Sequence, residues 1–327
     1  MCIRDRPKPV EQITVLDPAC GSGHFLLGAF DTLYAMYERQ GTPSQPGDIC
    51  RAIIENNLFG IDIDPRAVQL TEAALWMKAA DRCGTFDAAR ANLVWPQSGE
   101  EPPVPMGGAS TSSSAGTAPR FGADPREGWS HAAQLGSLLR ASPAMVGPPA
   151  GGRSDPVAPG ADLLTMLSGR YDVVLANPPY VDKRNQGAVL RSFLRAQYPT
   201  AKGNTFAAFI VRALELARVA VGMVTPQAFL FVRSYAGLRE QLADSCAVAS
   251  LAQLGSGAFR DAGVDPALFV LHPESDPSRR RHARGVYLDV TASRDKAATL
   301  VELARGGGRP DSSGGARRHL RSRAELD

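Results

Sequence analysis

The stretch ITVLDPACGSGHFLLGAF, residues 13–30, reads as a strand, a glycine-rich turn and the start of a helix. ITVLD is a short run rich in β-branched residues, and PACGSG carries the residues typical of a turn. The apolar residues that follow have helical spacing up to Gly41, which predicts the helix end. Because α/β proteins bind ligands at such strand–turn–helix junctions, the stretch predicts an α/β domain with a ligand site at residues 17–23.

The alternation of strand and helix continues along the chain. It predicts an α/β fold with a Rossmann-like, doubly wound and mostly parallel sheet. The predicted segments are helix 48–56, strand 58–64, a helix from Pro65, strands 91–95 and 171–176, helix 204–219, strand 220–225, helix 233–244, and strands 249–254 and 267–271.

Composition limits the possible functions. The 327 residues are 44% hydrophobic and 21% charged, with a net charge of +3, which is ordinary globular material. The five cysteines form no CxxC or Cys/His pattern, so the sequence predicts neither a zinc site nor a disulfide framework. No run approaches the ~20 apolar residues of a membrane span, and no signal peptide is visible. These features predict a cytoplasmic protein without a membrane partner.

Changes in composition divide the chain. A low-complexity segment rich in Gly, Pro, Ser and Ala predicts a disordered insertion in which only SHAAQLGSLLRA (130–141) looks helical. Arginines crowd the last fifty positions, which indicates a solvated or a phosphate-contacting face. The chain reads as a piece of a longer protein. Its predicted parts are a leader beginning MCIRDR (1–10), a cofactor-binding half (11–97), the insertion (98–160), a catalytic half (161–275) and a basic, poorly ordered tail (276–327).

The residues of the first loop discriminate between cofactors. A dinucleotide fingerprint would need glycine at Leu26 and a ribose-binding acid about 20 residues after the loop, whereas the next strand-end acid is the more distant Asp62. S-adenosylmethionine has no pyrophosphate but still offers two ribose hydroxyls, which Asp62 is placed to accept. Gly21 and Gly23 would let the backbone pass close to this ligand.

Neighbouring residues receive other roles. Asp17 would lie beside the methionine end of the cofactor. Asp64 is predicted to cap the helix that starts at Pro65, and Cys20 is predicted to be a small buried residue.

The second informative stretch is DVVLANPPYVDK, residues 172–183. Two prolines cannot continue a central strand, so the strand ends in an amide, two stiff carbonyl-bearing residues and a ring. Asn177 and the Pro178 carbonyl could accept hydrogen bonds from the two N–H groups of a planar amine, directing its lone pair at a methyl donor. Tyr180 could stack on a planar base. The alternative is a proline-rich turn that only ends a strand.

DPACGSG, FGIDIDP and NPPY, in this order, resemble the amino-methyltransferases of the adenine-N6 DNA type. LDPACGSGHFLL, YDVVLANPPYVDK, VGMVTPQAFLFVRSYAGLRE and LAQLGSGAFRDAG are similar to the PglX methyltransferases of BREX phage-defence systems. The resemblance implies the fold of a class I S-adenosylmethionine-dependent methyltransferase. It also implies transfer of a methyl group from S-adenosylmethionine to the N6 amine of a flipped-out adenine in double-stranded DNA, without a metal. Other defence-system proteins would be further partners.

The resemblance also assigns residues. The cofactor-lining positions would be Asp17, Ala19, Gly21 and Gly23, with Asp62 on the ribose and Phe206 and Phe209 near the adenine of the cofactor. The catalytic positions would be Asn177, Pro178, Pro179 and Tyr180, and Phe259 or Phe269 could add a second stacking face.

The chain departs from this pattern in three places. ANLVWPQSG (91–99) lacks the acid that would meet the adenine amine of the cofactor after the third strand, and only Asn92 or Gln97 could substitute. The segment before the first strand and the target-recognition region of such enzymes have no counterpart.

Other functions remain open at the level of the sequence. NPPY suits any planar amine, so a glutamine-N5 methyltransferase of the HemK type or an RNA adenine methyltransferase is an alternative. The first loop of the HemK type resembles DLGTGSG rather than DPACGSGHF. A third alternative is a DNA-binding or assembly fragment without turnover. The sequence does not decide between phage defence and restriction-modification.

Overall fold

The fold was obtained as a computed structural model, and the structure describes residues 8–41, 45–87, 89–96, 121, 125–141, 163–259, 263–305 and 317–322. Gln97, most of the predicted leader and most of the predicted insertion lie outside these residues. The described chain forms two compact units. The first contains the residues up to Ala176 together with Gly187–Gln197, and the second contains Asn177–Gln186 and the residues from Tyr198 onward.

The strands of the first unit are parallel and lie in the order β3 (Asn92–Val94), β2 (Leu58–Ile61), β1 (Val15–Asp17) and β4 (Tyr171–Ala176). In register, Asp17 lies opposite Gly60, and Ile61 lies opposite Val94. The residues that follow β1 and β2 therefore leave the sheet at the same, carboxyl-terminal edge.

Two helices of the first unit have a boundary that the sequence predicts, at Gly41 and at Pro65, whereas the predicted helix 48–56 is split into two elements and two further helices, 163–168 and 188–197, were not predicted. The first runs between Gly23 and Gly41, both in the left-handed conformation, and buries its apolar face in the core. The third starts at Pro65 and is capped by Asp64, whose side chain accepts from the Arg66 amide, which confirms the predicted cap. These helices are α1 (His24–Gln40), α2 (Pro46–Ala52), a π-helix (Ile53–Asn57), α3 (Pro65–Cys83), α4 (Ala132–Leu135), α5 (Leu163–Ser168) and α6 (Ala188–Gln197).

Part of the predicted insertion is folded. Residues 125–141 form a 3₁₀-helix (Pro125–His131), α4 and a 3₁₀ turn (Gly136–Leu138). Trp129, Leu135 and Leu139 are buried. The short apolar run SHAAQLGSLL thus supplies side chains that are buried in the first unit, which offsets the entropy lost on ordering it.

The strands of the second unit neighbour one another in the order β5 (Ala217–Pro226), β7 (Pro266–Pro273), β6 (Cys246–Gln253), β8 (Arg284–Asp289) and β9 (Arg317–Ser322). Strand β7 is antiparallel to both β5 and β6, whereas β6 and β8 are parallel. The elements are α7 (Thr205–Leu216), β5 (Ala217–Pro226), α8 (Ala228–Phe231), α9 (Ala236–Ser245), β6 (Cys246–Gln253), β7 (Pro266–Pro273), α10 (Pro277–His282), β8 (Arg284–Asp289), α11 (Lys296–Ala304) and β9 (Arg317–Ser322).

Residues 276–327, predicted to be a poorly ordered basic tail, contain regular structure, because α10, β8, α11 and β9 all lie within this range. Leu288, Val290 and Leu303 from this region are buried in a small apolar cluster with Ala252 and Leu254. The sequence prediction missed β8 because arginines surround the alternating apolar residues of RGVYLDV.

The predicted α/β class with a mostly parallel, doubly wound sheet is confirmed. Over the described residues, no helix is both long and apolar enough to cross a membrane.

Candidate functional site

The loop after β1 is a tight turn that only glycine can form at two positions. Gly21 and Gly23 have φ values of +54° and +86°, which side-chain-bearing residues rarely adopt. A Cβ on Gly23 would lie 2.9 Å from Cγ2 of Thr71, whereas a Cβ on Gly21 would have no neighbour within 4 Å. The loop is therefore closed against α3 at Gly23 and open at Gly21.

Asp62 connects the loop after β1 to the residues that follow β2, at the carboxyl edge of the first-unit strands. Its Oδ2 accepts from the Gly21 amide at 2.9 Å, and its Oδ1 accepts from the Asp64 amide at 2.9 Å. A carboxylate offers about four acceptor positions, so each oxygen keeps capacity for one more donor. The side chain is half-buried and reachable, and it can accept the two hydroxyls of a ribose.

Thr71 on α3 is a loop-fixing residue that the sequence did not reveal. It is buried, and its hydroxyl donates to the Gly21 carbonyl at 2.8 Å. A threonine inside a helix gives no signal in a single sequence, because its role depends on the packing of α3 against the loop. Asp62 and Thr71 together hold Gly21 through its amide and its carbonyl.

Asp17 lies at the end of β1 with 1% of its surface exposed. Its Oδ1 accepts from the Ala19 amide at 3.0 Å. Burial raises the pKa of this carboxyl to about 7, the Ala19 hydrogen bond opposes the shift, and the Asp62 carboxylate adds to it. Asp17 is therefore poised to change charge near neutrality.

Cys20 has the structural role that the sequence predicts. Its side chain is buried, its amide donates to the Ile61 carbonyl at 3.0 Å, and burial raises the pKa of the thiol. A thiol that stays protonated in this way is a poor nucleophile.

The second unit begins with the NPPY segment, one peptide bond after β4. Asn177 and Pro179 are exposed, Pro178 is buried and Tyr180 is half-buried. The Tyr180 hydroxyl donates to Oδ1 of Asn177 at 2.6 Å and lies 3.2 Å from the Val224 carbonyl oxygen. Burial raises the pKa of Tyr180 to about 12, so the hydroxyl remains a donor at neutral pH.

The start of α7 holds the NPPY segment in place. The buried Thr205 hydroxyl donates to the Pro179 carbonyl at 2.5 Å and accepts from the Val181 amide at 2.8 Å. The Thr205 amide donates to the Val181 carbonyl at 3.1 Å, and Asn204 caps α7. Among the described residues, no hydrogen-bond donor contacts the carbonyl of the buried Pro178.

Phe206 lies beneath Tyr180. Its ring is 1% exposed and meets Tyr180 edge-on, with 6.2 Å between centroids. Tyr235, which is half-buried, packs on Phe206 at 5.7 Å. Phe206 thus supports two reachable tyrosine rings. Phe209 is also buried in α7, and contact of Phe206 or Phe209 with the cofactor stays a prediction.

The two phenylalanines suggested as a second stacking face are placed differently. Phe269 is buried and packs against Phe229 with 5.5 Å between centroids, so it presents no free face. Phe259 is 47% exposed. The sequence could not separate them, because burial depends on the pairing of β7 with β5 and β6.

Asn92 is committed to the backbone of the π-helix. Its Nδ2 donates to the Glu55 carbonyl at 2.8 Å and lies 3.3 and 3.2 Å from the carbonyl oxygens of Ile54 and Leu58. Asn92 opens β3, whereas Val94 at the carboxyl end of the strand accepts from the Asp62 amide. Asn92 therefore does not replace the missing third-strand acid.

Known proteins resemble the chain over most of its length. It is 31% identical over 291 residues to an adenine-specific methyltransferase named BrxX from Escherichia coli O9:H4 (strain HS), which covers 76% of the chain and 24% of the relative. It is 30% identical over 303 residues to an adenine-specific methyltransferase named PglX from Lacticaseibacillus casei (strain Zhang), which covers 82% and 24%. The chain thus spans about a quarter of the length of these relatives.

The fold is shared with a solved restriction-modification enzyme. A nuclease-deletion mutant of the Type ISP enzyme LlaGI, in complex with a DNA substrate mimic, superimposes with a TM-score of 0.56 at 14% identity, over 90% of this chain and 23% of that one. The family description "MmeI, DNA-methyltransferase domain" matches residues 3–94. The description "Eco57I restriction-modification methylase" matches residues 56–259, which is more than half of the chain. The chain belongs to the Eco57I restriction-modification methylase family.

Proposed function

We propose that this chain is the methyltransferase part of an adenine-specific DNA methyltransferase, which methylates the exocyclic N6 amine of a flipped-out adenine. The observation that carries the proposal is the NPPY segment. It contains an exposed amide whose oxygen accepts from a tyrosine hydroxyl, a proline carbonyl to which no described residue donates, and a half-buried aromatic ring.

The residues at the first-unit loop fit S-adenosylmethionine as the methyl donor. Asp62 retains acceptor capacity on both oxygens for the two ribose hydroxyls, and the space beside Gly21 admits a ligand close to the backbone. Asp17 supplies negative charge near the loop when ionised, which favours a cationic ligand. When bound, S-adenosylmethionine supplies an electrophilic methyl group whose C–S bond breaks with its electron pair on sulfur.

The NPPY segment makes the amine nucleophilic. The N6 nitrogen of adenine is planar, because its lone pair is delocalised into the ring. Oδ1 of Asn177 and the Pro178 carbonyl would each accept one of its N–H groups, which favours a tetrahedral nitrogen with a localised lone pair. Tyr180 already orients the Asn177 acceptor, and Thr205 holds the neighbouring Pro179 carbonyl and so the backbone next to Pro178, which limits the reorganisation needed in the transition state. The proton that the nitrogen loses after transfer would leave towards these acceptors and solvent.

Aromatic rings would hold the base outside the duplex. Tyr180 and Tyr235 both pack on the buried Phe206 and are half-exposed. Stacking of a base on an aromatic side chain contributes about 1–3 kcal/mol, which offsets part of the cost of unstacking it from DNA.

The family and the relatives support DNA as the substrate. Both relatives carry the name adenine-specific methyltransferase, and the solved LlaGI structure contains a DNA substrate mimic. We infer that the full-length protein marks the DNA of its own cell, in phage defence or restriction-modification, and therefore acts in the cytoplasm. Other proteins of the same defence system would be its partners.

The decisive experiment supplies tritiated S-adenosylmethionine together with duplex DNA, single-stranded DNA, RNA or a protein mixture, and then digests the nucleic acids to nucleosides for mass spectrometry. N6-methyldeoxyadenosine formed by the wild-type chain but not by Asn177→Ala is the expected result. Label in RNA or in protein alone would replace the DNA assignment. If titration calorimetry detects no binding of S-adenosylmethionine, the proposal fails.

A further inference from the structure

The 3₁₀ turn Gly136–Leu138, called here the GSL turn, lies directly on the first-unit loop. Ser137 is 3% exposed, and its hydroxyl donates a short hydrogen bond to the carbonyl of Pro18. Pro18 stands between Asp17 and Ala19. A buried carbonyl that loses its donor is costly, so this contact fixes the conformation in which the loop leaves β1.

A second contact joins the GSL turn to the segment after β2. Gly136 has a φ of +51°, and a Cβ at this position would lie 2.5 Å from Cγ2 of Ile63. Ile63 follows Asp62 directly and is 54% exposed. A large apolar side chain left open beside a ribose-binding carboxylate is a surface on which a planar ring can pack. The backbone of Gly136 forms one border of that surface.

The GSL turn has a firm base. The Trp129 indole donates to the Arg140 carbonyl at 3.2 Å, and the Arg140 guanidinium donates to the Gln197 carbonyl at the end of α6 at 2.8 Å. A Cβ on Gly128 would lie 2.7 Å from both Leu139 and the ring of Phe193 on α6. The segment 125–141 is therefore packed closely onto α6, which holds the GSL turn against the loop.

We propose that the GSL turn forms the adenosine-end wall of the cofactor pocket, an inference that rests on the proposed function. Ser137 and Gly136 are positioning residues. Ser137 fixes the loop through Pro18, and Gly136 keeps the face of Ile63 open for the adenine ring. The turn thereby takes over the adenine end of the pocket in a chain whose third strand carries no acid and whose Asn92 is committed to the π-helix.

The first test follows amide hydrogen exchange of the 327-residue chain with and without S-adenosylmethionine. Amides of residues 136–139 should exchange at least about fivefold more slowly when the ligand is bound, because a pocket wall opens less often in the complex. The exposed Ser130 in the same segment should not change. Unchanged exchange at 136–139 in a chain that binds the ligand overturns the proposal.

The second test measures dissociation constants by calorimetry for Ser137→Ala and Gly136→Ala, with Ser130→Ala as the matched control. Each of the first two variants should bind S-adenosylmethionine about tenfold more weakly, and the control should bind like wild type. The affinity for adenosine, which lacks the methionine chain, should fall by the same factor in these two variants. Weakened binding of S-adenosylmethionine with unchanged binding of adenosine would place the effect at the methionine end of the pocket and refute the proposal.

The two proposals fail in different ways. A wild-type chain that binds neither S-adenosylmethionine nor adenosine contradicts the proposed function and this inference together. A wild-type chain that binds both ligands, while Ser137→Ala and Gly136→Ala remain folded in thermal melts and bind equally well, leaves the function intact and overturns the GSL wall alone. If one variant unfolds, the other variant and the exchange experiment on wild type still decide.

Discussion

The hydroxyl of Tyr180 donates a 2.6 Å hydrogen bond to Oδ1 of Asn177. The ring proposed to stack on the base thus also orients the oxygen proposed to meet the amine. The hydroxyl also lies 3.2 Å from the Val224 carbonyl oxygen. Because an amide oxygen has two lone pairs, Oδ1 of Asn177 retains one acceptor position for a substrate N–H.

This relationship predicts different effects for two substitutions of Tyr180. Tyr180→Phe keeps the ring but frees the Asn177 amide, so kcat should fall about tenfold, equivalent to about 1.4 kcal/mol, with little change in the KM for DNA. Tyr180→Ala also removes the stacking surface and should raise this KM as well. Steady-state methylation assays separate the two effects. Tyr287→Phe, at another half-buried tyrosine, is the control, and wild-type kcat in Tyr180→Phe contradicts the orienting role.

Asn177→Ala should lower kcat by about 10²–10³, the usual effect of removing one preorganised polar group from the reacting centre. Because the side chain is exposed, the free energy of unfolding should stay within about 0.5 kcal/mol of wild type. Single-turnover methylation and urea unfolding measure the two quantities. Asn185→Ala changes an exposed asparagine of the same segment and should leave both unchanged. Full activity in Asn177→Ala would sink the proposed mechanism.

Local signals predicted the elements that hold the site. The turn after ITVLD, the acid at the end of β2, the cap at Asp64 and the strand end at Asn177 each depend on a few adjacent residues, and the structure contains all of them. Such features follow from turn and cap chemistry, which a single sequence displays.

Features that depend on long-range packing were not predictable. Thr71 meets Gly21 across 50 residues, and Ser137 meets Pro18 across 119. The sequence indicates a helix within 130–141, but its surroundings of low complexity give no sign that this segment contacts the first loop. Phe206 could be recognised as a support for Tyr180 only once α7 was placed. No periodicity in the sequence encodes these contacts.

Substitution of two neighbouring aspartates should affect different properties, ligand affinity at Asp62 and stability at Asp64. Asp62→Ala removes the acceptor proposed for the ribose, so the dissociation constant of S-adenosylmethionine should rise about ten- to hundredfold, as expected for hydrogen bonds to a charged group. Asp64→Ala removes the cap of α3 and an exposed ion pair with Arg66, and it should cost about 1 kcal/mol of stability without changing the dissociation constant. Calorimetry and urea unfolding on both variants check this. Equal dissociation constants for Asp62→Ala and wild type would exclude Asp62 from the pocket.

Asp17 should make stability depend on pH. The pKa of its carboxyl rises from 3.8 to about 7 on burial, so between these values the unfolded chain has lost a proton that the folded chain keeps. The unfolded state then binds fewer protons, and the contribution of Asp17 to the free energy of unfolding falls as pH rises, by at most about 1.4 kcal/mol per pH unit. Above about pH 7 this contribution levels off.

Asp17→Asn keeps an acceptor for the Ala19 amide but removes the ionisation. Urea unfolding at pH 5 and pH 8 should therefore show a stability gain over wild type that is larger at pH 8, by on the order of 2 kcal/mol. The exposed Asp81→Asn is the control. Binding of cationic S-adenosylmethionine should favour ionised Asp17, so wild-type affinity should increase as pH rises from 6 to 8, and this increase should shrink in Asp17→Asn. A pH profile of affinity that is identical in the variant and wild type would place Asp17 away from the positive charge of the cofactor.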